Sequence, residues 1–159
     1  MSFRVDESID CGSDLVWAVA TDWSKAAYWL GVQGLRPIDR DEPVGEGTKL
    51  YFTARGNSHA TTVTRWEPCR ALTLESIQGG VTAVYAYTFT ELDGVTQVQL
   101  EASCSARGWF WKLLLPLIAF FMKRSDSGQL VALKRLTEAL VARAERDADA
   151  LERGASSSG

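Results

Sequence analysis

Two hydrophobic rhythms divide the chain. From about Val32 to Cys104 apolar and polar residues alternate in short runs, and from Trp109 the apolar positions recur at helical spacing, starting with large side chains up to Met122. The alternating runs fall at about 32–40, 48–55, 59–67, 71–78, 81–92 and 95–105. Between them stand turn formers: Pro43 with Gly45 and Gly47, Gly56-Asn57, Pro68, Gly79-Gly80 and Asp93-Gly94. Connections this short force antiparallel neighbours, because a parallel crossover needs a dozen or more residues.

An earlier run sets Phe3, Val5, Glu7 and Ile9 against Arg4, Asp6, Ser8 and Asp10, which is a first strand. Two short helices follow. The first, capped by Ser13 or a neighbour, runs to about Thr21, and the second covers Ser24 to Trp29, with Ser24 as cap and Gly31 as stop. At the other end Leu117, Phe120, Phe121, Leu130, Leu133, Leu136, Leu140 and Val141 form one stripe. Pro116 is tolerable near the first turn and Gly128 weakens the helix without having to break it, so one long helix is expected. The prediction is an α+β fold: a curved seven-stranded antiparallel sheet with two short helices between its first and second strands and a long C-terminal helix. Residues 1–149 make one domain, and 150–159 are expected to form a tail without order.

Alternation also assigns faces. Val98, Leu100, Ala102 and Cys104 share one side of the last strand and turn inward, while Gln97, Gln99, Glu101 and Ser103 meet water. Matching inward rows are Tyr85, Tyr87 and Phe89; Leu50, Phe52 and Ala54; and Leu72, Leu74 and Ser76. A concave apolar sheet under an apolar helix holds a small hydrophobic molecule between them. The expected lining is Phe52, Leu74, Ser76, Tyr85, Tyr87, Phe89, Leu100, Trp109, Leu113, Leu117, Phe120 and Phe121.

Composition narrows the partners. A length of 159 residues, 46% of them hydrophobic, fits one domain with its own core. The net charge of −3 comes from interspersed charges, which argues against a nucleic-acid partner. Cys11, Cys69 and Cys104 are odd in number and far apart, with no second histidine beside His59, so reduced thiols, no metal and no cofactor are expected. With strand grammar at the N-terminus, the cytoplasm is the expected compartment. Leu113 to Met122 is too short to span a bilayer, but bulky apolar residues between Lys112 and Lys123-Arg124 suit a peripheral membrane contact. Trp109, Phe110 and Trp111 cannot all point inward, which leaves a lid, a homodimer contact or a lipid surface.

The order strand, two helices, six strands, long helix resembles the SRPBCC superfamily, which groups START-like, birch-pollen-allergen-like and bacterial polyketide cyclase/dehydrase-like proteins. The matching residues are Val16-Trp17, Thr21-Asp22, Trp29, Gly45-x-Gly47, Trp66-Glu67-Pro68 and Gly94-Val95-Thr96, over roughly residues 3 to 141. The resemblance implies a cavity and a small hydrophobic ligand, lipid-like, polyketide-like or isoprenoid, and not a particular reaction.

Candidate chemistry is sparse. His59 heads a strand with Thr61, Val63 and Arg65 on its face and has no nucleophile or carboxylate at motif spacing, so it reads as a strand or rim histidine. Tyr85 and Tyr87 fill a concavity and can hydrogen-bond a ligand carbonyl or hydroxyl. Arg55 and Arg65 either clamp a carboxylate at the mouth or lie solvated outside. Gly45-Glu46-Gly47 lacks the strand-to-helix setting and the lysine of a phosphate loop. Three readings follow: binding or transport of a hydrophobic ligand; a cofactor-independent cyclase or dehydratase using Tyr85, Tyr87 and His59; and a partner-binding regulatory or toxin-like protein using the Trp109 to Met122 surface.

Overall fold

In the computed structural model the alternating runs become one antiparallel sheet. Residues 2–39, 41–54, 56–126 and 128–156 are described, with backbone alone at 119–122, 124–126, 154 and 156. The strands are β1 (Ser2–Ile9), β2 (Gln33–Pro37), β3 (Lys49–Ala54), β4 (Asn57–Glu67), β5 (Ala71–Gln78), β6 (Val81–Leu92) and β7 (Val95–Ala106), in the order β1-β7-β6-β5-β4-β3-β2. The sheet is curved. β1 and β2, consecutive in the chain, lie on opposite edges, so α1 (Ser13–Ala20), a 3-10 turn (Trp23–Lys25) and α2 (Ala26–Trp29) carry the chain across.

The face assignment holds along β7, where Val98, Leu100, Ala102 and Cys104 are buried. On β1 the inward edge includes Glu7, whose carboxylate accepts from Lys134 Nζ at 3.1 Å. A bulge between Val63 and Arg65 breaks the alternation of β4. Arg65 therefore leaves the face shared by His59, Thr61 and Val63 and pairs with exposed Glu67 at 2.8 Å outside. Trp66 turns inward instead, edge-on against Trp17 at 5.0 Å. With Trp23 and Phe89 these rings fill the end of the sheet that α1 covers.

The cap of α1 falls on a neighbour of Ser13, as expected, whereas that of the second short helical segment does not fall on Ser24. Gly12 takes the cap position of α1, and Ser13 N–H donates to Glu91 Oε2 of β6 at 2.7 Å, so a strand carboxylate satisfies the helix start. Ser24 lies within the 3-10 turn, whose cap is Asp22; its carboxylate accepts from Ser24 N–H at 3.1 Å and pairs with Lys25. Gly31, with φ of 70°, ends α2 as expected.

The expected single long helix is two: α3 (Trp109–Asp126) and α4 (Gln129–Ser156). Gly128 does interrupt it, and the phase of the apolar stripe resets at that point. Leu130, Leu133 and Thr137 of α4 are fully buried, and Leu136 and Leu140 pack beside them. From Ala142 to Arg153 every residue is exposed, yet the helix continues to Ser156, within the 150–159 stretch expected to lack order. Alanine, glutamate and arginine are strong helix formers, and Arg143 faces Asp147 one turn on.

Trp111 anchors the start of α3 on the β5–β6 turn. A Cβ on Gly80 would stand 2.2 Å from Trp111 Cδ1, and Gly79 adopts φ of 59°, so both glycines are required where the indole lies on the backbone.

Candidate functional site

Between the sheet and the helices lies a cavity of about 550 Å³, a size suited to a small organic molecule. Its sheet wall is made of cross-strand pairs on β3 to β6: Ala54 with Asn57, Phe52 with His59, Leu74 with Tyr85, and Ser76 with Ala83. Such pairs share a face because side chains alternate with period two. Leu30, Gly31, Val32 and Leu35, where α2 runs into β2, form the opposite side with Ile118 of α3. Gly31, Asn57 and Gln78 are exposed and mark the rim, whereas Leu35, Thr61, Leu74, Tyr87 and Gln129 are buried and mark the inner end.

The inner end is closed by a buried hydrogen bond. Tyr87 Oη donates to Gln129 Oε1 at 2.8 Å, tying the sheet to the first residue of α4. Trp29 packs edge-on against Tyr87 at 5.5 Å, and its buried indole N–H has no hydrogen-bond partner among the described residues. Thr61 Oγ1 donates to the Glu75 carbonyl at 3.0 Å and is thereby satisfied within the sheet. His59 is half-buried, its ring tilted against Phe52 at 5.4 Å, and nothing among the described residues hydrogen-bonds the imidazole. The described lining includes no carboxylate, lysine or arginine.

Displaced proton affinities lie around the helix starts and the outer surface, away from the cavity. The Ser13 N–H holds the Glu91 carboxyl below the usual carboxylate range, and Lys25, followed by Ser24, does the same for Asp22. Arg65 lowers Glu67. Burial, reinforced by Glu138 and nearby acids, pushes the Cys11 thiol up, away from the nucleophilic thiolate. None of the three cysteines forms a disulfide, and among the described residues no three His, Cys, Asp or Glu side chains gather as a metal site.

Of the residues expected to line the cavity, Phe52, Leu74, Ser76, Tyr85 and Tyr87 are brought together around it. Phe89 and Leu100 point inward but into solid core: Phe89 meets Trp17 at 5.5 Å, and Leu100 is wholly buried. Inward means cavity only where the overlying helices stand off from the sheet. Trp109, Leu113 and Leu117 are exposed on the outer face of α3, and Ile118 takes the place expected for Leu117. The side chains of Phe120 and Phe121, and Arg55 entirely, lie outside the described residues. Sequence reading missed Leu30, Val32, Leu35, Ile118 and Gln129, because the contribution of the α2–β2 connection and the break before α4 leave no periodic signal. His59, expected as a strand or rim histidine on the face of Thr61 and Val63, is half-buried in the cavity lining.

Sequence and fold comparisons agree with this geometry. The chain belongs to the polyketide cyclase / dehydrase and lipid transport family, whose model matches residues 1–145. Its fold is the helix-grip of the SRPBCC superfamily. It is similar to the Zhui aromatase/cyclase from Streptomyces sp. R1128, with TM-score 0.68 and 16% identity over 89% of this chain and 95% of that one. Ara h 8.0201 gives TM-score 0.65 and 11% identity over 87% and 98% of the two chains. A truncated norcoclaurine synthase from Thalictrum flavum gives 0.62 and 15% over 86% and 92%. No curated protein matches the chain. At these identities the structural likeness establishes the fold, and family and fold together support a hydrophobic ligand-binding domain.

Proposed function

We infer that the protein binds and carries a small, hydrophobic, uncharged molecule bearing one or two hydrogen-bonding oxygens, of polyketide-like, isoprenoid or neutral-lipid character. One observation carries this reading: an apolar cavity whose described lining offers amide, hydroxyl and imidazole groups but no carboxylate, lysine or arginine. Among the described lining residues a ligand carboxylate or phosphate would meet no counter-charge, and desolvating it there is costly. A neutral carbonyl or hydroxyl can bond Ser76, His59 or Tyr85 while its apolar body meets Leu30, Val32, Phe52 and Ile118. The test is native mass spectrometry of protein from its own host, followed by extraction and identification of the bound molecule. A neutral hydrophobic compound at unit stoichiometry is expected; a tightly held anionic lipid or an empty protein would overturn the reading.

A second reading, a cofactor-independent cyclase or dehydratase, has one observation in its favour. His59 and Tyr85 line the same cavity, so an imidazole and a phenol can reach one bound molecule. Incubation with a poly-β-ketone separates the two. Under the binding reading no turnover is seen, whereas a turnover that His59→Ala lowers about a hundredfold, with folding intact, establishes catalysis.

A further inference from the structure

We propose that the outer face of α3 docks on an anionic lipid bilayer. This helix presents two unlike faces. Trp111, Leu114, Leu115 and Ile118 are half-buried toward the domain, whereas Trp109 is 80% exposed, Leu113 72%, Leu117 55% and Phe110 52%. Trp109, Leu113 and Leu117 stand at successive four-residue intervals and so form one ridge along the helix, with Phe110 at its edge. Contiguous apolar surface of this kind marks an interaction site, unlike isolated exposed residues.

Charge selects the partner. The chain as a whole carries a net charge of −3, yet from Ala102 to Ser125 it has no Asp or Glu and four cations, Arg107, Lys112, Lys123 and Arg124. Lys112 and Lys123 are exposed and, about three turns apart, fall on the same side of the apolar ridge. A bulky apolar ridge with a cationic flank is the arrangement that lies in a bilayer interface, apolar side chains among the acyl chains and lysines at the headgroups. A second copy of this chain would bring identical cations toward one another, which disfavours self-association through the same face. No helix among the described residues is long and apolar enough to cross a membrane, so the contact is peripheral. Because Ile118 on the opposite side of α3 lines the cavity, the same helix separates cavity from bilayer. Docking itself does not depend on what the cavity holds.

The experiment is co-sedimentation of the full chain with vesicles of phosphatidylcholine alone or with about one-third phosphatidylglycerol, at low and physiological salt. Binding to the anionic vesicles is expected, reduced about tenfold or more by Leu113→Gln with Leu117→Gln, and about fivefold per lysine by Lys112→Gln and Lys123→Gln. Circular dichroism checks that each variant folds. Should the leucine variant not fold, brominated lipid decides: it quenches the parent and quenches Trp109→Phe less. Absence of binding to anionic vesicles, equal binding by a folded leucine variant, or quenching unchanged by Trp109→Phe overturns the proposal. So does a parent dimer, seen by analytical ultracentrifugation, that the leucine variant converts to monomer, since the face is then covered by a second copy.

Discussion

Tyr87 is the residue on which sheet, α4 and cavity meet. Its hydroxyl and the Gln129 amide are both buried, so each satisfies a group that water cannot reach. Tyr87→Phe keeps the ring against Trp29 but withdraws the donor from Gln129 Oε1. The expected cost is about 1–3 kcal/mol, the penalty of a buried acceptor left without its partner. Urea denaturation measures it. If the bond is the cause, Gln129→Leu in the Tyr87→Phe background recovers part of the loss; additive losses instead would show that the two residues act independently. The tyrosine's inward direction was legible from the alternation Tyr85, Tyr87, Phe89, but its partner was not. Gln129 follows the break at Gly128, and reading the helix as continuous removed any reason to single it out.

At the scale of elements, strands were more legible than helix ends. Strand alternation is set by the pleat and fails where the register shifts, between Gln33 and Arg36 on β2 and after Val63 on β4, where a single extra residue moves Arg65 out and Trp66 in. Helix starts are decided by whichever acceptor reaches the free N–H groups, and that acceptor need not be local. At α1 it is Glu91, far along the chain on β6, so no spacing rule could supply it. The bond has a pH signature. The carboxyl of Glu91 is held below the usual carboxylate range by the Ser13 N–H, so its contribution is present above that range and is lost as pH falls through the depressed value. Hydrogen exchange at the start of α1 should therefore accelerate, relative to the rest of the helix, on acidification below the carboxylate range. Glu91→Gln, which keeps the shape but not the charge, should reproduce that acceleration at neutral pH. An exchange profile insensitive to the substitution would mean that α1 is held by its buried face, Val16, Trp17 and Val19, alone.

For the whole molecule, the open question is why one part of the concave face is solid and another hollow. Inward rows run along β3, β5, β6 and β7, and the lining expected from sequence draws on every one of them. The helices do not cover them evenly: α1 brings Trp17 down onto Phe89 and Trp66, while the α2–β2 connection and α3 leave about 550 Å³ open above Phe52, Leu74 and Tyr85. That difference depends on where α3 stops and α4 begins, a tertiary fact with no periodic trace. It also makes the cavity testable apart from stability. Ala83 is small, faces the hollow part beside Ser76 and pairs with Cys104 on β7. Ala83→Phe should direct a ring into empty space, where it gains contacts without forcing neighbours aside, in contrast to overpacking a filled core, which costs about 1–3 kcal/mol. Thermal stability should therefore hold or rise, while affinity for an environment-sensitive apolar dye falls about tenfold or more, because the ring takes up volume the dye needs. A variant that folds and binds the dye as the parent does would place the binding site elsewhere; one that melts far below the parent would show that this part of the molecule is as closely packed as the Trp17 end.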